Sequence, residues 1–282
     1  MQQNEEVISA QKQSWDKFSG GWKKWDLFIQ NWMGPVGKAI IDKASLKQGD
    51  RVIDSATGTG EPGLSAAKYV GSEGAVAGTD VSEEMVRIAQ ENAKAQGITN
   101  YSAVVAATSA LPFNDNSFDA AISRFGVIFA PDVSADIKEL MRVVKSGGKI
   151  SVGAWAEPIK NQWATIIPKI FQEITKTTPS SANAPGVFRC SQPDSLPTIM
   201  AEAGLRDVNK IEVTGEFIAD SLQQYWDIML DIAAPIVGAL SKVDESVRRE
   251  VYKKTLEVLH SNFMKGERVV IPWSAWVVCG TK

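Results

Sequence analysis

Histidine is nearly absent from this chain: His260 is the only one among 282 residues. With one histidine there is no HxxH or facial-triad pattern to argue for a metal site. The two cysteines, Cys190 and Cys279, lie far apart and give neither a zinc spacing nor a disulfide framework. A reducing cytoplasmic setting is the simplest expectation from them. No apolar run is long enough to cross a bilayer, and the polar, acidic start MQQNEEVISAQKQ is not a secretory signal. An excess of basic charge is missing too, because 30 Lys and Arg stand against 33 Asp and Glu, for a formal net charge of −3. A nucleic-acid partner calls for a basic face that neutralises phosphates. Here the densest basic spots are only the pairs Lys23–Lys24 and Arg248–Arg249. Internal repeats and low-complexity tracts are also lacking.

What is present is an ordinary globular composition, 44% hydrophobic and 22% charged. Between residues 51 and 155 short apolar runs alternate with helical patterns. RVIDS (51–55) reads as a buried strand and 61–70 as the helix after it. AVAGTD (75–80) is a second strand. Ser82 then caps a helix with Glu83 and Glu84 in its first turn and Met85, Ile88, Ala89 and Ala93 on one face. Residues 101–105 form a third strand and 118–123 a fourth. Residues 132–144 form a helix that Gly147 and Gly148 end, and 149–155 form a fifth strand. This alternation predicts an α/β fold with a doubly wound, mostly parallel sheet and ligands beyond the C-terminal strand ends. Residues 156–190 read as irregular, with Pro158, Pro168, Pro179 and Pro185. A short helix over 193–204, a strand over 208–214, helices over 220–266 interrupted at Pro235 and Gly238, and a last strand over 268–280 bent at Pro272 complete the pattern.

The chemistry concentrates on the turn Asp54-Ser55-Ala56-Thr57-Gly58-Thr59-Gly60, between the first strand and its helix. Glycine there allows positive φ and close approach of a ligand to the backbone. Asp80 follows about twenty residues on, where an acidic group accepts both ribose hydroxyls of a nucleoside. Two nucleosides compete for such a site. GTGEPG formally fits the dinucleotide fingerprint, but Glu61 in the first helical turn repels a pyrophosphate and Pro62 removes an N–H donor. A ligand with an ammonium and a sulfonium but no phosphate tolerates Glu61, and Asp54 suits the ammonium. Charge therefore favours S-adenosylmethionine.

The segments DSATGTGEPG, GTDVSEEM, LPFNDNSFDA, SRFGVIFAPD and KSGGKISVGAW occur in order. Together they resemble class I S-adenosylmethionine-dependent methyltransferases, and among them the quinone-biosynthesis-type (ubiquinone/menaquinone) group and its relatives acting on other small molecules. The resemblance covers 35–155 well, and 190–215 and 268–280 more loosely. It implies a Rossmann-like, seven-stranded methyltransferase sheet with an N-terminal helical cover and a helical insertion before the last strand. It implies three parts: an aromatic lid over 1–34, the donor-binding core over 35–155, and an acceptor-side lid with the closing strands over 156–282. Residue by residue, Asp54, Ala56, Thr57, Gly58 and Gly60 match the turn that holds the methionine part, and Asp80 matches the ribose carboxylate. Val81 and Met85 match residues near the adenine, and Ala107 and Thr108 the pair facing its edge. Ser123, Arg124 and Phe125 match the loop beside the sulfonium.

Three departures stand out. Ala56 replaces a glycine, which is tolerable if its φ stays negative. Ala107 replaces an aspartate, so backbone groups must meet the adenine amino group. Ser146 replaces a proline, a detail of the turn.

Trp15, Phe18, Trp22, Trp25, Ile29 and Trp32 recur at spacings of three and four, an apolar seam that Gly20 and Gly21 should split into two helices. Trp22, Trp25, Trp155 and Trp163 are the expected acceptor pocket. The expectation is methyl transfer to a small hydrophobic or aromatic acceptor, on carbon or oxygen, mainly through positioning, without a metal and with no catalytic residue assigned. A small amine held by cation–π contacts is the alternative. A nucleic-acid or protein methyltransferase and a noncatalytic nucleoside-binding module are weaker ones. His260 is expected on an exposed helix face. The sequence leaves a homo-oligomer open.

Overall fold

The computed structural model of the chain describes residues 2–178 and 184–282. The expectation at Pro179 lies outside them. Two N-terminal helices, α1 (Gln2–Lys24) and α2 (Asp26–Ala44), precede the sheet. Then follow β1 (Arg51–Ser55), α3 (Gly63–Val70), β2 (Ala75–Asp80), α4 (Glu83–Ala95), β3 (Tyr101–Val105) and β4 (Phe118–Arg124). Next come α5 (Val133–Val143), β5 (Val144–Trp155), α6 (Gln162–Thr175), α7 (Ser195–Glu202) and β6 (Arg206–Ala219). The chain closes with α8 (Leu222–Ile232), α9 (Ala234–Leu240), α10 (Glu245–Phe263), β7 (Met264–Lys265) and β8 (Arg268–Thr281).

The sheet order is β3-β2-β1-β4-β5-β8-β6, with β7 paired to β8. β1 to β5 pair in parallel, while β8 runs antiparallel between β5 and β6. Among the described residues there are eight strands rather than seven, because the two-residue β7 folds back onto β8 as a hairpin. Val52, Ile53, Asp54 and Ser55 of β1 are all fully buried, as befits a central strand covered on both faces. Since β1 pairs with β2 on one side and β4 on the other, the chain reverses its winding there. The crevice beyond these strand ends is where ligands bind in such sheets.

Local chemistry sets the helix starts. The Ser82 Oγ accepts the Met85 amide at 3.0 Å, and Asp132 accepts that of Ala135 at 3.1 Å. Several boundaries depart from expectation. α3 begins at Gly63, with Pro62 in the capping position, so Glu61 and Pro62 precede the helix. β5 begins at Val144, directly after α5, and Gly147–Gly148 lie in an irregularity where pairing jumps from Phe118↔Val144 to Ala120↔Lys149. β6 extends to Ala219 because its ladder with β8 continues to Val269. Pro235 sits in the first turn of α9, where a missing N–H costs nothing, and so opens that helix.

The lid region departs from expectation at two places. α1 runs unbroken through Gly20 and Gly21, and the break falls at Trp25. Gly21 is there because α8 crosses close by: a Cβ on it would stand 2.0 Å from the Asp231 carbonyl oxygen. Asp231 also fixes the joint, accepting from Lys24 Nζ at 2.7 Å and Trp25 Nε1 at 2.8 Å. Second, the stretch expected to be irregular contains α6, with Pro168 inside it. Trp163, Ile166, Ile167 and Ile170 make a buried stripe at helical spacing, and that burial outweighs the one lost backbone bond.

Candidate active site

The turn after β1 is built by alternating left-handed residues: Ala56 has φ +54, Gly58 φ +55 and Gly60 φ +115. Ala56 therefore does not keep the negative φ expected of it. An L-residue held there stores on the order of 1–2 kcal/mol of strain. The loop after β4 crowds against this residue, since a Cβ on Gly126 would lie 2.4 Å from that of Ala56. Backbone bonds fix the turn further, with Thr57 N donating to Thr79 O at 2.8 Å and Gly60 N to Thr57 O at 2.9 Å. On its outer side the turn is open, for a Cβ at Gly58 would meet nothing within 4 Å.

Asp54, at the end of β1, is fully buried. Its Oδ2 accepts from Thr57 Oγ1 at 2.6 Å and from Gly63 N at 3.0 Å. Its Oδ1 is buried with no partner. Burial raises this carboxyl to about 7, against the hydrogen bond from Thr57, the charge of Arg124 and the Gly63 amide. Tyr101, reaching under β2 from β3, is in hydrogen-bond contact with Thr57 Oγ1 at 2.9 Å. The phenol can donate to Thr57 while Thr57 donates to Asp54, which leaves Oδ1 free.

Asp80 ends β2. Its Oδ2 accepts from Gly58 N and its Oδ1 from Ser82 N, both at 3.0 Å. It ties the turn to the start of α4 and keeps a second lone pair on each oxygen. Burial raises it to about 6, despite those amide bonds. α1 lies across this point. Asp16 Oδ1 accepts from Ser82 Oγ at 2.6 Å and from Glu84 N at 3.3 Å. Lys12 bonds Glu83 at 3.0 Å, Lys23 bonds Glu91 at 2.8 Å, and Trp15 meets Phe129 edge-on with centroids 5.2 Å apart.

Beside these lie the other residues expected at the site. Val81 is half-buried, and Met85 is buried apart from the main apolar cluster under the sheet. Thr108 bonds the Ser55 hydroxyl at 2.6 Å, and the Ala107 carbonyl accepts from Ala110 N. Ser123 uses its hydroxyl on the Ser55 carbonyl at 2.8 Å, so it staples β4 to β1. Phe125 has φ +64 and stacks on Trp155 with centroids 4.1 Å apart and planes within 6°.

The four tryptophans expected around the acceptor fall into different neighbourhoods. Trp155 and Trp163 are buried and pack with Trp32 and Phe217. Trp22 meets Trp15, and Trp25 meets Phe28 and Asp231. His260 is exposed on α10. Sequence reasoning missed Tyr101, Asp26 and Gly126. Asp26 opens α2 and accepts from Thr59 Oγ1 at 3.2 Å, with burial holding it above the usual carboxylate range. Only Gly126 carried a signal, as the small residue in SRFGVIF.

These features suit a donor that is cationic and free of phosphate: an unpartnered carboxylate oxygen, an open glycine, and a ribose-level carboxylate held by amides. A family model, the ubiE/COQ5 methyltransferase family, matches residues 32–222. The chain belongs to this family. It is an S-adenosylmethionine-dependent methyltransferase. It is 30% identical over 189 residues to the ubiquinone/menaquinone biosynthesis C-methyltransferase UbiE of Yersinia enterocolitica, covering 64% of this chain and 75% of that protein. In fold it is similar to a putative methyltransferase from Bacillus halodurans, with a TM-score of 0.58 at 16% identity over 87% of this chain and 98% of that one. It is also similar to geranyl diphosphate C-methyltransferase from Streptomyces coelicolor, a structure that contains S-adenosyl-L-homocysteine, with a TM-score of 0.50 at 15% identity over 87% and 78%. Among the described residues no helix is long and apolar enough to cross a membrane, and no group of three or more His, Cys, Asp or Glu is placed to hold a metal ion.

Proposed function

We propose that this methyltransferase alkylates a ring carbon of a small, electron-rich aromatic acceptor of quinol or phenol type. The observation that carries the reading is the 30% identity over 189 residues to a C-methyltransferase of quinone biosynthesis. The stacked pair Phe125 and Trp155, where β4 and β5 end, supports it as an aromatic wall. S-adenosylmethionine supplies an electrophilic methyl group on a sulfonium. The chain's own residues bind, orient and exclude water. The backbone of Ala56, Thr57, Gly58 and Gly60 holds the methionyl part, and Asp80 takes the ribose hydroxyls. Val81 and Met85 pack near the adenine, and Ala107 and Thr108 meet its edge. Asp54 faces the ammonium of the methionyl part, and the loop of Ser123, Arg124 and Phe125 lies beside the sulfonium. An activated ring carbon needs no resident base for the methyl transfer itself, because its ring proton is lost afterwards and can pass to solvent when the site opens. That agrees with the exposure of the sole histidine, His260.

The lid over 1–34, the core over 35–155 and the acceptor-side part over 156–282 complete this reading, with Trp22, Trp25, Trp155 and Trp163 serving the acceptor side. Lys12, Asp16 and Lys23 latch the lid onto α4. We place the enzyme in the cytoplasm, with a small-molecule acceptor rather than nucleic acid as its partner.

The test is turnover of carbon-13 methyl-labelled donor with a panel of reduced naphthoquinones, catechols and aliphatic amines, read by nuclear magnetic resonance of the product. Label on a ring carbon is the expected result. Label only on oxygen or nitrogen overturns the reading.

A further inference from the structure

The lid helix α1 touches α4 along one face. Lys12, Asp16, Ser19 and Lys23 follow one another at spacings of four, three and four, which places them on one side of the helix. Lys12 and Lys23 end in exposed ion pairs with Glu83 and Glu91, which contribute little and are screened by salt. Asp16 makes a different contact. Its Oδ2 meets Lys12 Nζ at 3.3 Å, while its Oδ1 is turned to the first turn of α4.

A helix start leaves its first amides without partners inside the helix. Ser82 caps α4 from within by accepting the Met85 amide at 3.0 Å. That bond occupies a lone pair of Oγ and leaves the hydroxyl proton free, and this proton is donated to Asp16 Oδ1 at 2.6 Å. The same Oδ1 accepts the Glu84 amide at 3.3 Å. Asp16 is thus a second cap for α4, supplied from 66 residues upstream and placed at the positive end of the helix dipole. Burial opposes its charge, but these bonds hold its carboxyl below the usual range, so it remains an acceptor.

The chain of bonds continues to the ribose carboxylate. Ser82 N donates to Asp80 Oδ1, and Gly58 N to Asp80 Oδ2, both at 3.0 Å. Ser82 is buried and carries three bonds at once: its amide to Asp80, its oxygen to the Met85 amide and its proton to Asp16. Removing the Asp16 carboxylate leaves a buried hydroxyl and the Glu84 amide without their acceptor, which is unfavourable. The disturbance falls on the residue whose amide aims Asp80. α1 precedes the stretch 32–222 that the family model matches, so the match does not reach this contact.

We propose that Asp16 of the lid helix is a positioning residue for the donor: acting through the Ser82 hydroxyl, it holds Asp80 in the orientation that receives the ribose hydroxyls. The proposal rests on the assignment of the donor's ribose to Asp80. It makes α1 part of the donor site as well as a cover, and by linkage a donor whose ribose engages Asp80 must in turn tighten α1 onto α4.

Calorimetric titration with S-adenosylhomocysteine and with its 2′,3′-dideoxy analogue, which lacks both ribose hydroxyls, tests it. Asp16→Ala should weaken S-adenosylhomocysteine about 3–10-fold, the net worth of one hydrogen bond, and leave the dideoxy analogue within about twofold. Asp16→Asn, which keeps an oxygen for both bonds, should bring S-adenosylhomocysteine back to within about twofold of the unaltered protein. A role confined to holding α1 down would weaken both ligands alike. On the unaltered protein, S-adenosylhomocysteine should slow amide hydrogen exchange in α1 by about the same 3–10-fold and the dideoxy analogue should not, a readout that does not depend on a variant folding. Equal losses for the two ligands, no loss for either, no recovery in Asp16→Asn, or α1 exchange indifferent to the ribose hydroxyls overturn the proposal. Unaltered protein that binds neither ligand overturns the donor assignment itself.

Discussion

Gly58→Ala separates the fold of the turn from its use. Gly58 has φ +55, and an added Cβ meets no atom within 4 Å. The folded protein therefore loses only backbone conformational energy. The left-handed geometry costs an L-residue about 1–2 kcal/mol, and the smaller entropy of the unfolded alanine chain returns about 0.4–1 kcal/mol. The net is about 1 kcal/mol, which for a chain of this size lowers Tm by about 2–4 °C. The same methyl group stands on the open side of the turn, against which the methionyl part of the donor must lie. Displacing it should weaken S-adenosylhomocysteine at least about tenfold, or 1.4 kcal/mol. Differential scanning calorimetry reads the first effect and isothermal titration the second. Gly60→Ala is the contrast: its Cβ would come within 2.7 Å of Leu64 Cδ1, so stability and binding should fall together. A Gly58→Ala protein with the expected Tm and unchanged donor affinity would refute the reasoning.

Ala56→Gly should raise stability by roughly 0.5–1 kcal/mol, since it releases a left-handed alanine, and thermal unfolding measures it. Gly21→Ala should push α1 off α8, because its Cβ falls 2.0 Å from the Asp231 carbonyl oxygen. A loss of about 1–3 kcal/mol and faster proteolysis within α1 are expected. Asp54 gives a pH dependence with a definite sign. Its pKa is raised from 3.8 to about 7 by burial, so ionising it opposes folding and its contribution to stability falls as pH rises from 3.8 through 7. Pairing with an ammonium needs the ionised form, so donor affinity should rise through pH 7. Titrations at pH 6 and 8 on the unaltered protein and on Asp54→Asn, which should lose that rise, check it.

Much of the core was legible because its signals are local. The apolar run before Asp54, the cap at Ser82 and the spacing from Gly60 to Asp80 each depend on neighbours in sequence, and each lands at the switch between β1, β2 and β4. What was not legible depends on approaches between distant segments. Gly20 and Gly21 read as a helix break, yet Gly21 serves the crossing of α8. The positive φ of Ala56 gave no local sign, and the residue packs so close to the loop after β4 that a Cβ on Gly126 would lie 2.4 Å from its own. Pro168 reads as a breaker until the buried face of α6 is weighed against it. Tyr101 gave no sign of reaching Thr57, because the route passes beneath β2, where a Cβ on Gly78 would stand 2.3 Å from the phenol oxygen. Trp155 and Trp163 were legible as aromatic residues near the strand ends, but their burial against Trp32 and Phe217 is a matter of tertiary packing.

The central claim is that the turn from Asp54 to Gly60, with Asp80, holds S-adenosylmethionine. Isothermal titration of the unaltered protein and of Asp80→Asn with S-adenosylhomocysteine and with NAD tests it most directly. S-adenosylhomocysteine should fill one saturable site and lose at least about tenfold in affinity in Asp80→Asn, and NAD should give no heat. Saturable binding of NAD, or S-adenosylhomocysteine affinity indifferent to Asp80, would contradict that claim.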